Sequence, residues 1–156
     1  MKFGFEAFCQ KCVECGIDGV IIPDLPFKDY EETYKPIADR YDIRVIMLIT
    51  PETSEARVRE IDEHTDGFIY MVSSAATTGA QKDFDSQKQA YFKKIQDMHL
   101  RNPRMVGFGI SNKQTFDAAC ANSSGAIIGS RFVTLLNEAE GDAEKAITQL
   151  KEGLKK

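Results

Sequence analysis

Ile17-Asp18-Gly19-Val20-Ile21-Ile22-Pro23-Asp24-Leu25-Pro26 is a short β-branched run closed by two prolines that flank an acid. A run this short, apolar almost throughout instead of alternating, marks a parallel strand covered on both faces. Four more stretches read the same way: Ile43–Thr50, Gly67–Val72, Arg104–Ile110 and Gly125–Ile128. Amphipathic segments lie between them. Phe5, Phe8, Cys9, Cys12 and Val13 share one helical face, and Gly16 supplies the stop. Thr53 or Ser54 caps a helix running through Glu63, with Glu55 in its first turn. Gln87–Leu100 is ended by Asn102-Pro103, Ser111 or Asn112 opens a helix to Ala121, and Ala143–Leu154 closes the chain. Pro36 is expected to kink or divide the stretch Tyr30–Ala38. The stretch Ser73–Ser86 has no apolar period and reads as a long loop, which inside a compact α/β domain is usually functional.

The 156 residues suit one domain, 1–156, with 42% hydrophobic and 28% charged residues and a net charge of −4. A mildly acidic chain without a Lys/Arg run excludes sequence-independent nucleic-acid binding. No apolar stretch approaches the roughly 18 residues of a membrane span, and no secretory leader is recognisable. Four cysteines do not staple a scaffold of this size, so a reducing, cytoplasmic setting is expected. Two α/β architectures compete for five parallel strands. One is an open, flavodoxin-like sheet; the other is part of a (β/α)8 TIM barrel, which normally takes about 250 residues. The chain opens on a helix, which suits neither as a complete fold.

In both architectures chemistry collects at the carboxyl ends of the strands. Glycines stand there beside helix starts: Gly107 and Gly109, then Gly129 followed by Ser130, with Gly79 in the long loop. Backbone amides without a Cβ, next to the positive end of a helix dipole, make an anion site, and phosphate is the expected ligand. Asp24, between Pro23 and Pro26, can bind substrate, act as a base, cap a helix or meet a partner. Tyr70 is either core filler or a hydroxyl sent into a barrel mouth. Cys9, Cys12 and Cys15 match iron–sulfur spacing, but they also complete the apolar face of a regular helix, and they read as core residues. His64 and His99 read as surface residues at helix C-termini, and no metal site is expected. No nucleophile elbow, Walker loop or dinucleotide fingerprint is present.

Taken together, Gly16 to Pro26, Tyr70-x-x-Ser73 with Thr77-Thr78-Gly79, Gly107-Phe108-Gly109-Ile110-Ser111, and Gly125 to Ser130 resemble the tryptophan synthase alpha chain family. The resemblance implies a (β/α)8 barrel lyase that cleaves indole-3-glycerol phosphate to indole and glyceraldehyde 3-phosphate. It also implies a beta-chain partner, which carries the pyridoxal phosphate, and no cofactor in this chain. By motif match Gly79, Gly109, Gly129 and Ser130 would cradle the substrate phosphate, and Phe108 would line the indole pocket. Thr78 would belong to a closing lid, Tyr70 would be an auxiliary active-site tyrosine, and Asp24 and Pro26 would face the beta chain. The match begins at the family's third helix and fourth strand. The family's catalytic Glu and Asp fall in strands without a counterpart here, so a truncated chain with a partial barrel, inactive alone, is expected. Two non-catalytic readings stand beside it: a phosphate-binding module self-associating through an open barrel edge, and a flavodoxin-like nucleotide binder.

Overall fold

The computed structural model describes residues 3–73, 81–107 and 109–155, with the side chains of 81–86 left aside. These residues form an α/β chain that divides into two compact units, Met1–Tyr70 with Leu100–Pro103, and Met71–His99 with Arg104–Lys156. The five expected strands all occur, trimmed at their ends.

In the first unit, α1 (Phe5–Glu14) buries Phe5, Cys9 and Cys12. Val13, expected on that face, is 52% exposed, and Cys15 lies at the exposed C-cap. Helix α1 stops where Gly16 takes a φ of 69°. The Gly16 amide then donates to the Val13 carbonyl and the Ile17 amide to the Cys12 carbonyl, which satisfies two orphan carbonyls. Strand β1 (Gly19–Ile21) pairs in parallel with β2 (Arg44–Ile46) in the register Gly19↔Arg44, Val20↔Val45, Ile21↔Ile46. The expectation that this first strand is covered on both faces fails, because Ile21 is 45% exposed.

After β1 comes α2 (Phe27–Asp29), then a π-helical turn over Tyr30–Tyr34, then α3 (Lys35–Arg40). Pro36 divides the helix as expected. It has no N–H to donate and its ring crowds the carbonyl four residues back, so the preceding turn widens. Tyr30 is buried in that turn. Strand β3 (Leu48–Ile49) continues β2 after a break at Met47, whose carbonyl accepts from the Tyr70 amide at 3.0 Å. Helix α4 (Glu55–His64) is capped by Ser54, whose hydroxyl accepts from the Arg57 amide. The next strand, β4 (Ile69–Val72), starts in the first unit and ends in the second.

One buried carboxylate organises the end of α4. Asp62 Oδ2 accepts from the Arg101 amide at 2.7 Å, and Asp62 Oδ1 accepts from the Asn102 amide at 2.8 Å and from Asn102 Nδ2 at 2.9 Å. Arg101 and Asn102 side chains in turn donate to the carbonyls of Asp62 and Thr65, which α4 leaves without helical partners. Arg101 also reaches Asp66 Oδ1 at 2.7 Å, and this hydrogen bond holds the exposed Asp66 carboxyl below its ordinary range. Pro103 then accepts from the Ile69 amide at 2.8 Å, where β4 begins.

In the second unit, α5 (Gln81–Asp97) starts six residues before its expected Gln87, so the loop expected through Ser86 is helical from Gln81 onward. Nothing between Gln81 and Ser86 breaks a helix: the segment lacks Gly and Pro. Strand β5 (Arg104–Gly107) pairs in parallel with β6 (Gly125–Ala126), with Met105 opposite Gly125 and Val106 opposite Ala126. Helix α6 (Lys113–Cys120) opens on a reciprocal cap between Asn112 and Thr115. Gln89 of α5 donates to the Ala118 carbonyl at 3.2 Å and accepts from Asn122 at the same distance. Helices α7 (Ser130–Glu138) and α8 (Ala143–Gly153) form a hairpin around Leu135, Ala139 and Ala146, with Phe132, Leu136 and Leu150 packed against them.

Two outcomes follow for stability. Asp62→Ala leaves the amides of Arg101 and Asn102 unpaired and costs about 3 kcal/mol, read by urea unfolding, whereas Asp62→Asn keeps one acceptor and costs less. Burial, reinforced by the Asp39, Asp66 and Glu31 carboxylates, pushes the Tyr30 hydroxyl up to about 12. Its contribution to stability is therefore intact below the ordinary tyrosine value of 10.0 and is lost as pH rises through about 12. Tyr30→Phe should flatten that alkaline loss in unfolding curves measured from pH 9 upward.

Candidate functional site

Parallel pairing of β5 with β6 puts their carboxyl ends on one edge of the second unit. The ladder runs one step further, with the Ile127 amide donating to the Val106 carbonyl at 2.7 Å. Beyond it the chain passes Ile128 and Gly129 into α7. On β5 the strand stops at Gly107, and Gly109 turns the backbone with a φ of 74°. That left-handed conformation costs an L side chain about 1–2 kcal/mol, which is why glycine stands there. The end of β4 joins the same edge: the Ser73 amide donates to the Gly107 carbonyl at 3.1 Å.

The helix starts differ in how they are finished. Ser54, Asn112 and Asp142 each lend a side-chain oxygen to a first-turn amide of α4, α6 and α8. At α7 the N-cap is Gly129, which has no side chain to lend, and both Gly129 and Ser130 are exposed. The first-turn amides of α7 thus have no side-chain cap, and with the positive dipole end and the exposed Ser130 they are a donor set suited to an oxyanion. The neighbouring Lys113 and Arg131 are in exposed ion pairs with Asp117 and Glu138.

The structure thus brings three of the expected phosphate residues, Gly109, Gly129 and Ser130, to one edge. Gly79, Thr78 and Phe108 lie outside the described residues. Tyr70, Asp24 and Pro26 belong to the first unit. Tyr70 is buried at 9% exposure within β4, and desolvation raises its hydroxyl above the ordinary tyrosine value. Asp24 and Pro26 are exposed after β1, where the Leu25 amide closes a turn onto the Ile22 carbonyl. Helix α2 starts after Pro26 without a side-chain cap, so Asp24 does not serve as its N-cap.

Of the histidines, His64 at the end of α4 pairs with Glu31, and His99 is exposed just past α5. The four cysteines are free; burial raises the thiols of Cys9 and Cys120. Among the described residues no group of three or more His, Cys, Asp or Glu is placed to hold a metal ion. No helix of the described chain is long and apolar enough to cross a membrane. An open groove of about 350 Å³ lies elsewhere, in the first unit, lined by Gly19 and Ile21 of β1, Arg44 and Ile46 of β2, Asp18, Gly67 and Phe68.

Sequence reasoning placed Ser73 at a strand end, at the start of a loop and in the Tyr70-x-x-Ser73 motif, and gave it no role of its own. It is 3% exposed and stands beneath the Gly109 turn. Its one local signal is position, since it is the first polar residue after the apolar run of β4.

Comparison with known proteins places this geometry. The family model described as tryptophan synthase alpha chain matches residues 1–156. The tryptophan synthase alpha chain of Bacteroides fragilis is 79% identical over 151 residues, covering 97% of this chain and 57% of that protein. That of Bacteroides thetaiotaomicron is 78% identical over 155 residues, covering 99% of this chain and 60% of the relative. The chain therefore spans about three-fifths of the length of the curated relatives it matches. Among solved structures, the alpha subunit of tryptophan synthase from Campylobacter jejuni superposes with a TM-score of 0.79 at 29% identity, covering 97% of this chain and 60% of that one. A tryptophan synthase complex from Pyrococcus furiosus gives 0.75 at 25% identity, covering 98% and 60%. The fold is thus that of the (β/α)8 barrel family, and the flavodoxin-like alternative falls.

The two glycines of the edge should respond differently to a methyl group. Gly109→Ala should lower stability by about 1–2 kcal/mol through its positive φ, because among the described residues a Cβ there meets Ser73 Oγ at an ordinary 3.9 Å. Gly129 has a φ of −101° and, among the described residues, open space around a Cβ, so Gly129→Ala should change stability by less than about 0.5 kcal/mol. Urea unfolding of the two variants checks both values.

Proposed function

The chain belongs to the tryptophan synthase alpha chain family, and from that premise we propose that it serves the cleavage of indole-3-glycerol phosphate to indole and glyceraldehyde 3-phosphate in tryptophan biosynthesis. Its part is to hold the phosphate. The observation that carries this reading is the parallel pairing of β5 and β6, which sends the strand leading to the Gly109 turn and the strand leading to the uncapped start of α7 toward one edge. Gly79 and the Ser130 hydroxyl complete the cradle. Phe108 lines the indole pocket, Thr78 belongs to the lid and Tyr70 is auxiliary. The exposed Asp24 and Pro26 face a beta chain, which carries the pyridoxal phosphate of the assembly.

Breaking the carbon–carbon bond needs a group that moves protons and a carboxylate that polarises the indole nitrogen, and general acid–base groups contribute typically about 10²–10⁴-fold each. The family's motifs for these two groups match no Asp or Glu of these 156 residues. A polypeptide of this sequence therefore binds phosphate without turning substrate over by itself. A second reading rests on the groove along β1 and β2: with Ile21 at 45% and Ile17 at 43% exposure, two copies could cover this face for one another. A monomer at all concentrations in sedimentation equilibrium would remove that reading.

The deciding experiment is an indole-release assay on indole-3-glycerol phosphate with and without added beta chain, beside an amide NMR titration with inorganic phosphate. The expected result is no indole, with phosphate-dependent shifts at the Gly109 and Ser130 amides. Measurable indole release overturns the inactivity, and unmoved amides overturn the phosphate cradle.

A further inference from the structure

We infer that the Asp66-Gly67 peptide bond is a site of spontaneous isomerisation to isoaspartate, and that Arg101 is the residue that slows it. The reaction needs water alone. The Gly67 amide nitrogen attacks Asp66 Cγ, the carboxyl gives up its hydroxyl and the amide its proton as one water, and a five-membered succinimide closes. Water then adds to either ring carbonyl, which restores aspartate or leaves the main chain running through Cγ as isoaspartate, with no net change in mass. A glycine after the aspartate favours closure, because no Cβ hinders the attacking nitrogen and the backbone turns freely. The sequence has two such pairs, Asp18-Gly19 and Asp66-Gly67, and all four residues are exposed.

The first unit treats the two pairs differently. The peptide unit joining Asp18 to Gly19 is pinned: its carbonyl accepts from the Arg44 amide at 2.9 Å, and Gly19 stands in register with Arg44 at the start of β1. Swinging its nitrogen onto the carboxyl breaks the ladder. The unit joining Asp66 to Gly67 lies between α4 and β4, and among the described residues no hydrogen bond holds its carbonyl or its amide. The fold also keeps a glycine there, since Gly67 has a φ of 111° and a Cβ would stand 2.9 Å from Ile46 Cδ1. What restrains this pair is a side chain. Arg101 Nη1 donates to Asp66 Oδ1 at 2.7 Å, while its Nη2 donates to the Asp62 and Thr65 carbonyls at 2.9 and 2.7 Å. The anchored guanidinium holds the Asp66 carboxylate in one orientation. With Arg44 and Lys35 adding to it, it also favours the ionised form, whereas closure draws on the protonated form, whose hydroxyl can leave. The Asp66 side chain is 62% exposed, so water screens the pair and Arg101 acts as a brake, not a block.

The test ages the folded chain in mildly acidic buffer, digests it, and separates the isoaspartyl peptides by chromatography, with electron-transfer fragmentation to place each one. Isoaspartate at position 66 should form about tenfold or more faster than at position 18, because β1 must open before Asp18 can react. In urea that unfolds the chain the two rates should converge. Isoaspartate at 18 matching that at 66 in the folded chain, or none at 66, overturns the site, and a ratio unchanged in urea overturns its origin in the fold. Arg101→Gln should speed the reaction at 66 about threefold and leave 18 unchanged. No acceleration at 66, in a variant that still unfolds cooperatively, overturns the brake. Should that variant not fold, the parent chain at raised salt takes its place: screening the exposed pair should speed 66 alone, and an unmoved rate overturns the brake.

Discussion

The buried carboxylate of Asp62 is the constraint on which the first unit depends. Taking an anion out of water costs several kcal/mol unless its oxygens are met by donors. Here both oxygens are met, by two backbone amides and one side-chain amide of Arg101 and Asn102. The same two residues return hydrogen bonds to the carbonyls that α4 leaves open at its end. A helix terminus and a connecting segment thus satisfy one another. The payoff lies two residues on, where Pro103 is set to accept from Ile69 and β4 begins. Directional bonds of this kind fix register more sharply than apolar contact, which tolerates sliding.

Among the described helix starts of the second unit, that of α7 has no side-chain cap. Helices α6 and α8 finish their first turns with side-chain oxygens, as does α4 in the first unit. At α7 the cap is a glycine, and the amides are left to whatever approaches from outside. An unfinished helix start alone is ordinary. What distinguishes this one is its place, after the carboxyl end of a strand paired in parallel with the strand that leads to the left-handed Gly109.

Much of the fold was legible because its signals are local. The strand runs, the Gly16 stop, the Ser54 and Asn112 caps and the break at Pro36 each depend on a few neighbouring residues. Three glycine-edge positions were legible for the same reason: Gly109, Gly129 and Ser130 sit where strands hand over to helices. Errors arose where tertiary surroundings decide. Val13 lies on the apolar side of α1 by spacing and yet is exposed, and β1 has the composition of a covered strand with Ile21 in the open. Asp62 has no local signal, since its partners lie 39 and 40 residues away.

A phosphate site made of backbone amides and a helix dipole has a property that follows from its materials. None of its donors titrates near neutral pH, and none depends on a side chain being correctly protonated. Proton-transfer chemistry is the reverse: it needs carboxylates with tuned environments, and those environments are built by burial and neighbouring charges. The two tasks therefore place different demands on a barrel. An anion site of this kind draws on strand ends in register, a turn and a helix start, and Arg104–Glu138 contains one of each kind in continuous sequence. Reacting requires groups assembled around the indole from separate strands. An anion handle of this kind is local and proton-transfer chemistry is not, so the two need not be carried by the same stretch of chain.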